Sequence, residues 1–174
     1  MKVCIIGDGL VSLALANVLI KKNLSVDILS TSKNKKYNQT RTLGISKSNV
    51  DYFNKNIANI EKILWEIKNI KIYNENLKKN EILNFTNKDQ QIFSIIKNQK
   101  LYNILDKNLR KSKLASFQKS INYKNLIKKK YKLIINCDPK HEITNFFFSS
   151  RFEKNYNSYA YTSIIKHKKI INNN

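Results

Sequence analysis

The residues with the plainest chemical purpose are Gly7, Gly9 and Ser12. They stand in the order Gly7-Asp8-Gly9-Leu10-Val11-Ser12, between the apolar run Val3-Cys4-Ile5-Ile6 and the apolar stretch Leu13 to Ile20. A glycine directly after a strand permits a tight turn, and a second glycine lets an anionic group approach the backbone with no Cβ in the way. A small residue further on lets the helix pack close to the strand. Ser12 takes the place of the usual third glycine. The first N–H groups of the helix and the positive end of its dipole then face the anion, which is the chemistry of a pyrophosphate cradle. The bland alternative is a strand, a turn and a helix that hold no ligand.

The elements needed to position such a cradle are legible. Val3 to Ile6 reads as a strand, Leu13 to Ile20 as a helix and Ser25 to Leu29 as a second strand, together a β-α-β unit. Ser30 to Asn38 is polar and reads as loop. The spacing predicts helices over Ser46 to Asn54 and Ile60 to Ile67, the latter with Ile63, Leu64 and Ile67 on one face. Short strands are expected at Ile70 to Tyr73, Ile82 to Phe85 and Ile92 to Ile96, forming a small inserted sheet. A helix over Gln99 to Leu109 carries Leu101, Ile104, Leu105 and Leu109 at helical spacing, and Leu133 to Cys137 is a buried strand leading into Asp138-Pro139. Tyr159 to Ile165 is a further strand candidate. The fold class is α/β, a Rossmann-like nucleotide-binding domain filling residues 1–174.

Composition narrows the function. The 174 residues carry 33 Lys+Arg against 12 Asp+Glu, a formal charge of +21. Such a balance suggests nucleic acid or an anionic membrane surface. The basic residues are scattered apart from Lys128-Lys129-Lys130, however, in a chain rich in Lys, Asn and Ile. They read as a solvated face and not as a specific nucleic-acid site. No stretch approaches the roughly twenty apolar residues of a membrane span, and the chain opens on a strand and not on a cleavable leader, so the expected location is the cytoplasm. Cys4 and Cys137 lie in apolar strand patterns and read as buried free thiols of a reducing compartment. His141 and His167 are isolated, which argues against a metal site. No nucleophile elbow is present. Trp65 and Phe146-Phe147-Phe148 read as core or as a docking surface.

The order of the motifs adds a resemblance. The glycine turn is followed by Arg41-Thr42-Leu43-Gly44-Ile45-Ser46, by Asn98-Gln99-Lys100-Leu101 opening a helix, and by Leu133-Ile134-Ile135-Asn136-Cys137-Asp138. This resembles the N-terminal part of the FAD-dependent aromatic hydroxylases of the para-hydroxybenzoate hydroxylase fold, and most of all the ubiquinone-biosynthesis hydroxylases. The resemblance implies that Gly7, Gly9 and Ser12 hold the FAD pyrophosphate, that Arg41 reaches the cofactor with its planar fork of donors, and that Asn98 and Asp138 are polar cofactor contacts. For these three the alternatives are a surface arginine, an ordinary helix N-cap and a strand-end turn. It further implies NAD(P)H as reductant, an aromatic or quinone small molecule as substrate, and peripheral contact with the membrane where quinones reside.

Three features depart from the family pattern. The ribose-binding acid expected about 20 residues past the turn is Ser30 here, and Asp27, three positions earlier, points to the opposite face of its strand. This predicts weakened cofactor binding, which Ser30→Glu is expected to tighten. The second flavin motif reads Asp138-Pro139, where proline lacks the N–H and the freedom of glycine. The family's later half, with its substrate-facing sheet, has no counterpart, so the chain is expected to be C-terminally truncated relative to the family. The rival readings are an NAD(P)-binding Rossmann protein and a non-catalytic fragment or interaction module.

Overall fold

The computed structural model describes residues 2–30, 41–73, 81–86, 92–119, 122–147 and 154–159. The β-branched run at the N-terminus forms β1 (Lys2–Ile6), and Val26 to Leu29 form most of β2 (Ser25–Ser30). Each has four successive buried residues, the pattern of parallel strands covered by helices on both faces. Between them runs α1 (Leu10–Lys21). It closes in a Schellman motif: Asn23 takes the left-handed conformation at φ 58°, Leu24 N–H reaches Leu19 O at 3.1 Å and Asn23 N–H reaches Ile20 O at 2.9 Å.

An insertion follows. It comprises β3 (Thr42–Ser46), α2 (Lys47–Asn56), a 3-10 turn at Glu61–Ile63, β4 (Leu64–Ile67), β5 (Asn69–Tyr73), β6 (Glu81–Thr86) and β7 (Phe93–Lys97). Ser46 caps α2 by accepting from the Asn49 N–H at 3.3 Å. The chain then returns through α3 (Asn98–Lys111), β8 (Ala115–Lys119), α4 (Tyr123–Lys128), β9 (Leu133–Asn136) and α5 (Glu142–Phe147).

The main sheet has the order β8-β2-β1-β9 with every neighbouring pair parallel. Taken in chain order its strands stand as third, second, first and fourth, which is half of a doubly wound fold. One face packs Val3, Ile5, Val26 and Ile28 against Leu13 and Ala16 of α1 and Leu101, Leu105 and Leu109 of α3. The other face packs Cys4, Ile6 and Leu29 against Leu126 and Ile143. Buried Asn17 stitches the two helices together, its amide donating to Leu13 O at 2.8 Å and to Leu105 O at 3.2 Å.

Several sequence expectations change. The segment Ile60 to Ile67 is not a helix: after the 3-10 turn, Leu64 to Ile67 pair with β7, Leu64 opposite Ile96 and Ile67 opposite Phe93. A short run rich in β-branched and aromatic residues satisfies either period, and strand pairing decides it. The inserted sheet is two pieces, a three-stranded β3-β7-β4 and a two-stranded β5-β6. Trp65, Phe146 and Phe147 are exposed and so are not core. Cys137 is only half-buried, beyond the end of β9. Residues 31–38 of the expected loop, 160–165 of the last strand candidate, Phe148 and His167 lie outside the described residues.

Candidate functional site

The chain runs outward from β1 to β2 and β8 on one side, then returns to β9 on the other. In open α/β sheets ligands bind where the strand order reverses, at the carboxyl ends of the strands. Here that crevice lies between the ends of β1 and β9, where Gly7 and Asp138 meet. Gly7 has φ +98°, which requires glycine, and its N–H donates to Leu29 O at 2.9 Å. A Cβ on Gly7 would stand 3.3 Å from the Asp138 Cβ, 3.3 Å from Ser12 Oγ and 3.4 Å from the Asp138 nitrogen. Three residues singled out in the sequence are therefore in contact, although the last comes from the far end of the sheet's chain path.

Gly9 differs from Gly7. Its φ of −74° and ψ of 179° suit any residue, and a Cβ there meets nothing within 4 Å. Neither conformation nor crowding among the described residues demands glycine at this position. A side chain would project into the open space before the first turn of α1. Gly9 has no side chain to cap that turn, and the turn carries no acidic residue, so the positive end of its dipole attracts an anion. Ser12 Oγ lies buried just behind, with no hydrogen-bond partner among the described residues. Buried polar atoms are almost always paired. An open glycine, an uncapped helix start and an orphaned hydroxyl together fit a phosphate-bearing ligand.

Asp8 escaped the sequence reading. Its side chain is 7% exposed, and its carboxylate accepts from Ser30 Oγ at 2.5 Å. The turn thus places a carboxylate at the end of β2, beside the residue that stands in for the expected acid. The signal was available, since Asp8 is the one acid of the turn sequence, but spacing from the turn directs attention to β2 and not back to the turn itself. Asp27, as strand alternation requires, faces the other side. There its buried carboxylate accepts from Lys2 Nζ at 2.9 Å, Gln118 Nε2 at 3.0 Å and the Tyr131 hydroxyl at 2.7 Å. Burial and then the bond to Asp27 raise the Tyr131 hydroxyl above its ordinary range. Burial, with Asp27 nearby, pushes the Cys4 thiol up to about 11. These groups hold β1, β2 and β8 together and lie away from the crevice.

Arg41 and Asn98 form a second group. Antiparallel β3 and β7 pair Thr42 with Lys97, and one step beyond, Asn98 N–H donates to Arg41 O at 3.0 Å. Asn98 is not an N-cap: Lys97 holds that position with no side-chain cap, and Asn98 is the first helical residue. Its Oδ1 is buried and without a partner among the described residues, while Arg41 is exposed. Both α1 and α3 run back to the start of a parallel strand, so both begin at the crevice edge of the sheet. The Asn17 to Leu105 bond joins residues equally far along each helix, so the head of α3 is level with the glycine turn. All seven residues selected from the sequence thus lie toward one end of the sheet.

Asp138 also shapes its own turn. Its Oδ1 accepts from Lys140 N–H at 3.0 Å and its carbonyl from His141 N–H at 3.1 Å. Pro139 follows it, where proline's fixed φ suits a β-turn. Buried His141 is structural, its Nδ1 accepting from Ile143 N–H at 3.2 Å at the start of α5. No group of three metal-ligating side chains occurs among the described residues, and no helix among them is long and apolar enough to cross a membrane. An apolar recess of about 450 Å³, lined by Tyr123, Ile127, Ile134, Asn136, Ile143 and Phe147, opens on the α4 and α5 face; Asn136 in its wall accepts from the Asp138 N–H at 3.0 Å.

Comparison with known proteins agrees with this architecture. No family model and no curated protein matches the chain. Among solved structures it is similar to p-nitrophenol 4-monooxygenase PnpA from Pseudomonas putida, with a TM-score of 0.56 and 16% identity over 67% of this chain and 31% of that one. It is similar to 2,6-dihydroxypyridine-3-hydroxylase from Arthrobacter nicotinovorans, with a TM-score of 0.51 and 12% identity over 67% and 28%. A protein of Photorhabdus luminescens described as an FAD-containing monooxygenase gives a TM-score of 0.52 and 19% identity over 72% and 33%. The chain has the mixed α/β fold with a parallel sheet that forms part of these enzymes, and it spans about a third of their length.

Proposed function

We propose that this chain is the FAD-binding portion of a flavin-dependent monooxygenase, with residues 1–174 forming one FAD-binding domain. The carrying observation is Gly9, whose Cβ position is open space before an uncapped helix start. The monooxygenases that share the fold make FAD the dinucleotide to expect. In this reading Gly7 shapes the turn, while Gly9, Ser12 and the first N–H groups of α1 receive the pyrophosphate. Ser30 lies beside the adenosine ribose. Arg41 offers its guanidinium to phosphate, and Asn98 and Asp138 supply polar contacts from the head of α3 and the end of β9.

When bound, the flavin supplies the redox chemistry by which O2 hydroxylates an aromatic ring, with NAD(P)H as reductant. The protein's part is to hold and orient. The substrate in this reading is an aromatic quinone precursor, as in ubiquinone biosynthesis. The formal charge of +21 favours attraction to anionic lipid, and in this reading the protein is cytoplasmic with peripheral membrane contact. No specific nucleic-acid partner is proposed.

The test is a titration of the purified chain with FAD, followed by quenching of flavin fluorescence, with NAD+ and NADPH as competitors. Saturable binding of one FAD per chain that neither nicotinamide nucleotide displaces is expected. Binding of NAD(P) with none of FAD would replace this reading with that of a nicotinamide-nucleotide protein.

A further inference from the structure

We infer that the α4 and α5 face is the surface by which this chain docks on an anionic lipid bilayer. The inference rests on the peripheral membrane contact proposed above and names the face that makes it; it does not depend on FAD.

The face combines two features. Its apolar side chains are exposed around one recess: Ile127 is 55% exposed and Phe147 64%, both in the recess wall, and Phe146, 65% exposed, stacks on Tyr123 with ring centroids 4.8 Å apart. Exposed apolar side chains gathered in this way mark a contact surface. The second feature is charge. Between Asp106 and Asp138 the chain carries ten lysines and arginines and no acid, and five of the ten fall in Lys124 to Lys132. At helical spacing Tyr123 and Ile127 form one stripe of α4 while Lys124 and Lys128 form the next, and Leu126 is buried against the sheet. Exposed lysines therefore border the apolar stripe. On α5 the acid Glu142 accepts from the Tyr123 backbone N–H.

Charge complementarity selects the occupant. A nucleic acid would answer the lysines but make no use of the apolar recess. A second copy would answer the recess but bring another +21 against the first. An anionic bilayer answers both, taking Ile127, Phe146 and Phe147 into the headgroup and acyl boundary while lysines meet lipid phosphates.

The experiment measures binding of the whole chain to phosphatidylglycerol and to phosphatidylcholine vesicles by co-sedimentation, with thermal unfolding checking each variant. The unmodified chain is expected to bind the anionic vesicles more tightly, and less so as salt is raised. Lys124→Gln with Lys128→Gln should weaken this binding roughly thirtyfold, and Phe147→Ser about tenfold. The control is Lys107→Gln with Lys111→Gln on α3, which packs on the other face of the sheet; it should change binding no more than about twofold, because distant charges are screened. Equal losses in the two lysine pairs, or Phe147→Ser without effect, overturn the assignment of this face while leaving membrane contact standing. No binding of the unmodified chain to anionic vesicles removes both. Self-association that Phe147→Ser abolishes, without vesicle binding, gives the face to a second copy and likewise overturns the inference. FAD titration of the same proteins tests the cofactor reading separately, and its failure would leave this inference intact.

Discussion

Gly7 and Gly9 stand two residues apart and are expected to fail in opposite ways. Alanine at Gly7 meets a backbone at φ +98° and contacts of 3.3 to 3.4 Å to Asp138 and Ser12. A non-glycine residue in that conformation costs about 1–3 kcal/mol, and forcing a methyl group into a packed contact typically costs about another 1–3 kcal/mol. For a chain of this size each kcal/mol moves the unfolding midpoint by about 2–4 °C. Gly7→Ala is therefore expected to lower Tm by roughly 4–24 °C. At Gly9 an added Cβ meets no atom within 4 Å, and the backbone there suits leucine without change. It costs only the difference between glycine and leucine at an N-cap, about 1 kcal/mol or less. It does fill the space through which a phosphate reaches the helix, so FAD affinity is expected to fall at least about a hundredfold, or some 2.7 kcal/mol. Thermal unfolding followed by circular dichroism and FAD fluorescence quenching measure the two effects separately. An unchanged Tm in Gly7→Ala refutes the geometry given for the turn. An unchanged FAD Kd in Gly9→Leu refutes the reason given for the second glycine.

Other expectations concern the far face of the sheet and the chain as a whole. Tyr131→Phe removes one of three donors to the buried Asp27 carboxylate and should destabilise by about 1.5–3 kcal/mol in urea unfolding; no measurable loss would mean that the cluster does not hold the strands. Folding raises the Cys4 thiol from 9.0 to about 11, so the folded state keeps a proton that the unfolded chain loses. That stability is complete below pH 9 and is lost as pH climbs toward 11, at about 1.4 kcal/mol per pH unit. Cys4→Ala should flatten this part of the profile, and an equally steep fall in the variant would argue against it. Asn17→Ala removes the link from α1 to Leu105 and should cost about 1–3 kcal/mol, read as a lower urea midpoint. The 174-residue chain supplied with FAD, NAD(P)H and O2 is expected to hydroxylate no quinone precursor, because it spans only about a third of the monooxygenases it resembles in fold; a hydroxylated product detected by mass spectrometry would contradict this.

What the sequence revealed, it revealed through backbone necessity. Gly7 is legible because a positive φ excludes other residues, and β1 and β2 because four successive buried residues need an unbroken apolar run. The helix α3 is legible because Leu101, Leu105 and Leu109 recur at its period. Ile60 to Ile67 misled because its apolar residues satisfy two periods, and pairing with β7 chose between them. β8 was missed because Ala115-Ser116-Phe117-Gln118-Lys119 has too few apolar residues to announce a strand; it forms by adding to the edge of β2. The meeting of Gly7, Ser12 and Asp138, and the swing of Asp8 toward Ser30, depend on strand order and turn geometry. Local composition shows that Asp8 is the one acid of the turn, but not which way it swings or that Asp138 meets Gly7.

The central claim is that a dinucleotide, FAD, lies at the carboxyl ends of β1 and β9. Backbone amide chemical shifts of the isotopically labelled chain, recorded with and without FAD, test it most directly. The account predicts shifts concentrated at Gly7 to Ser12, Ser30, Arg41, Asn98 and Asp138, with Asp27 and the α4 face unmoved. Shifts centred on Tyr123, Ile127, Ile143 and Phe147, or none at saturating FAD, would contradict it.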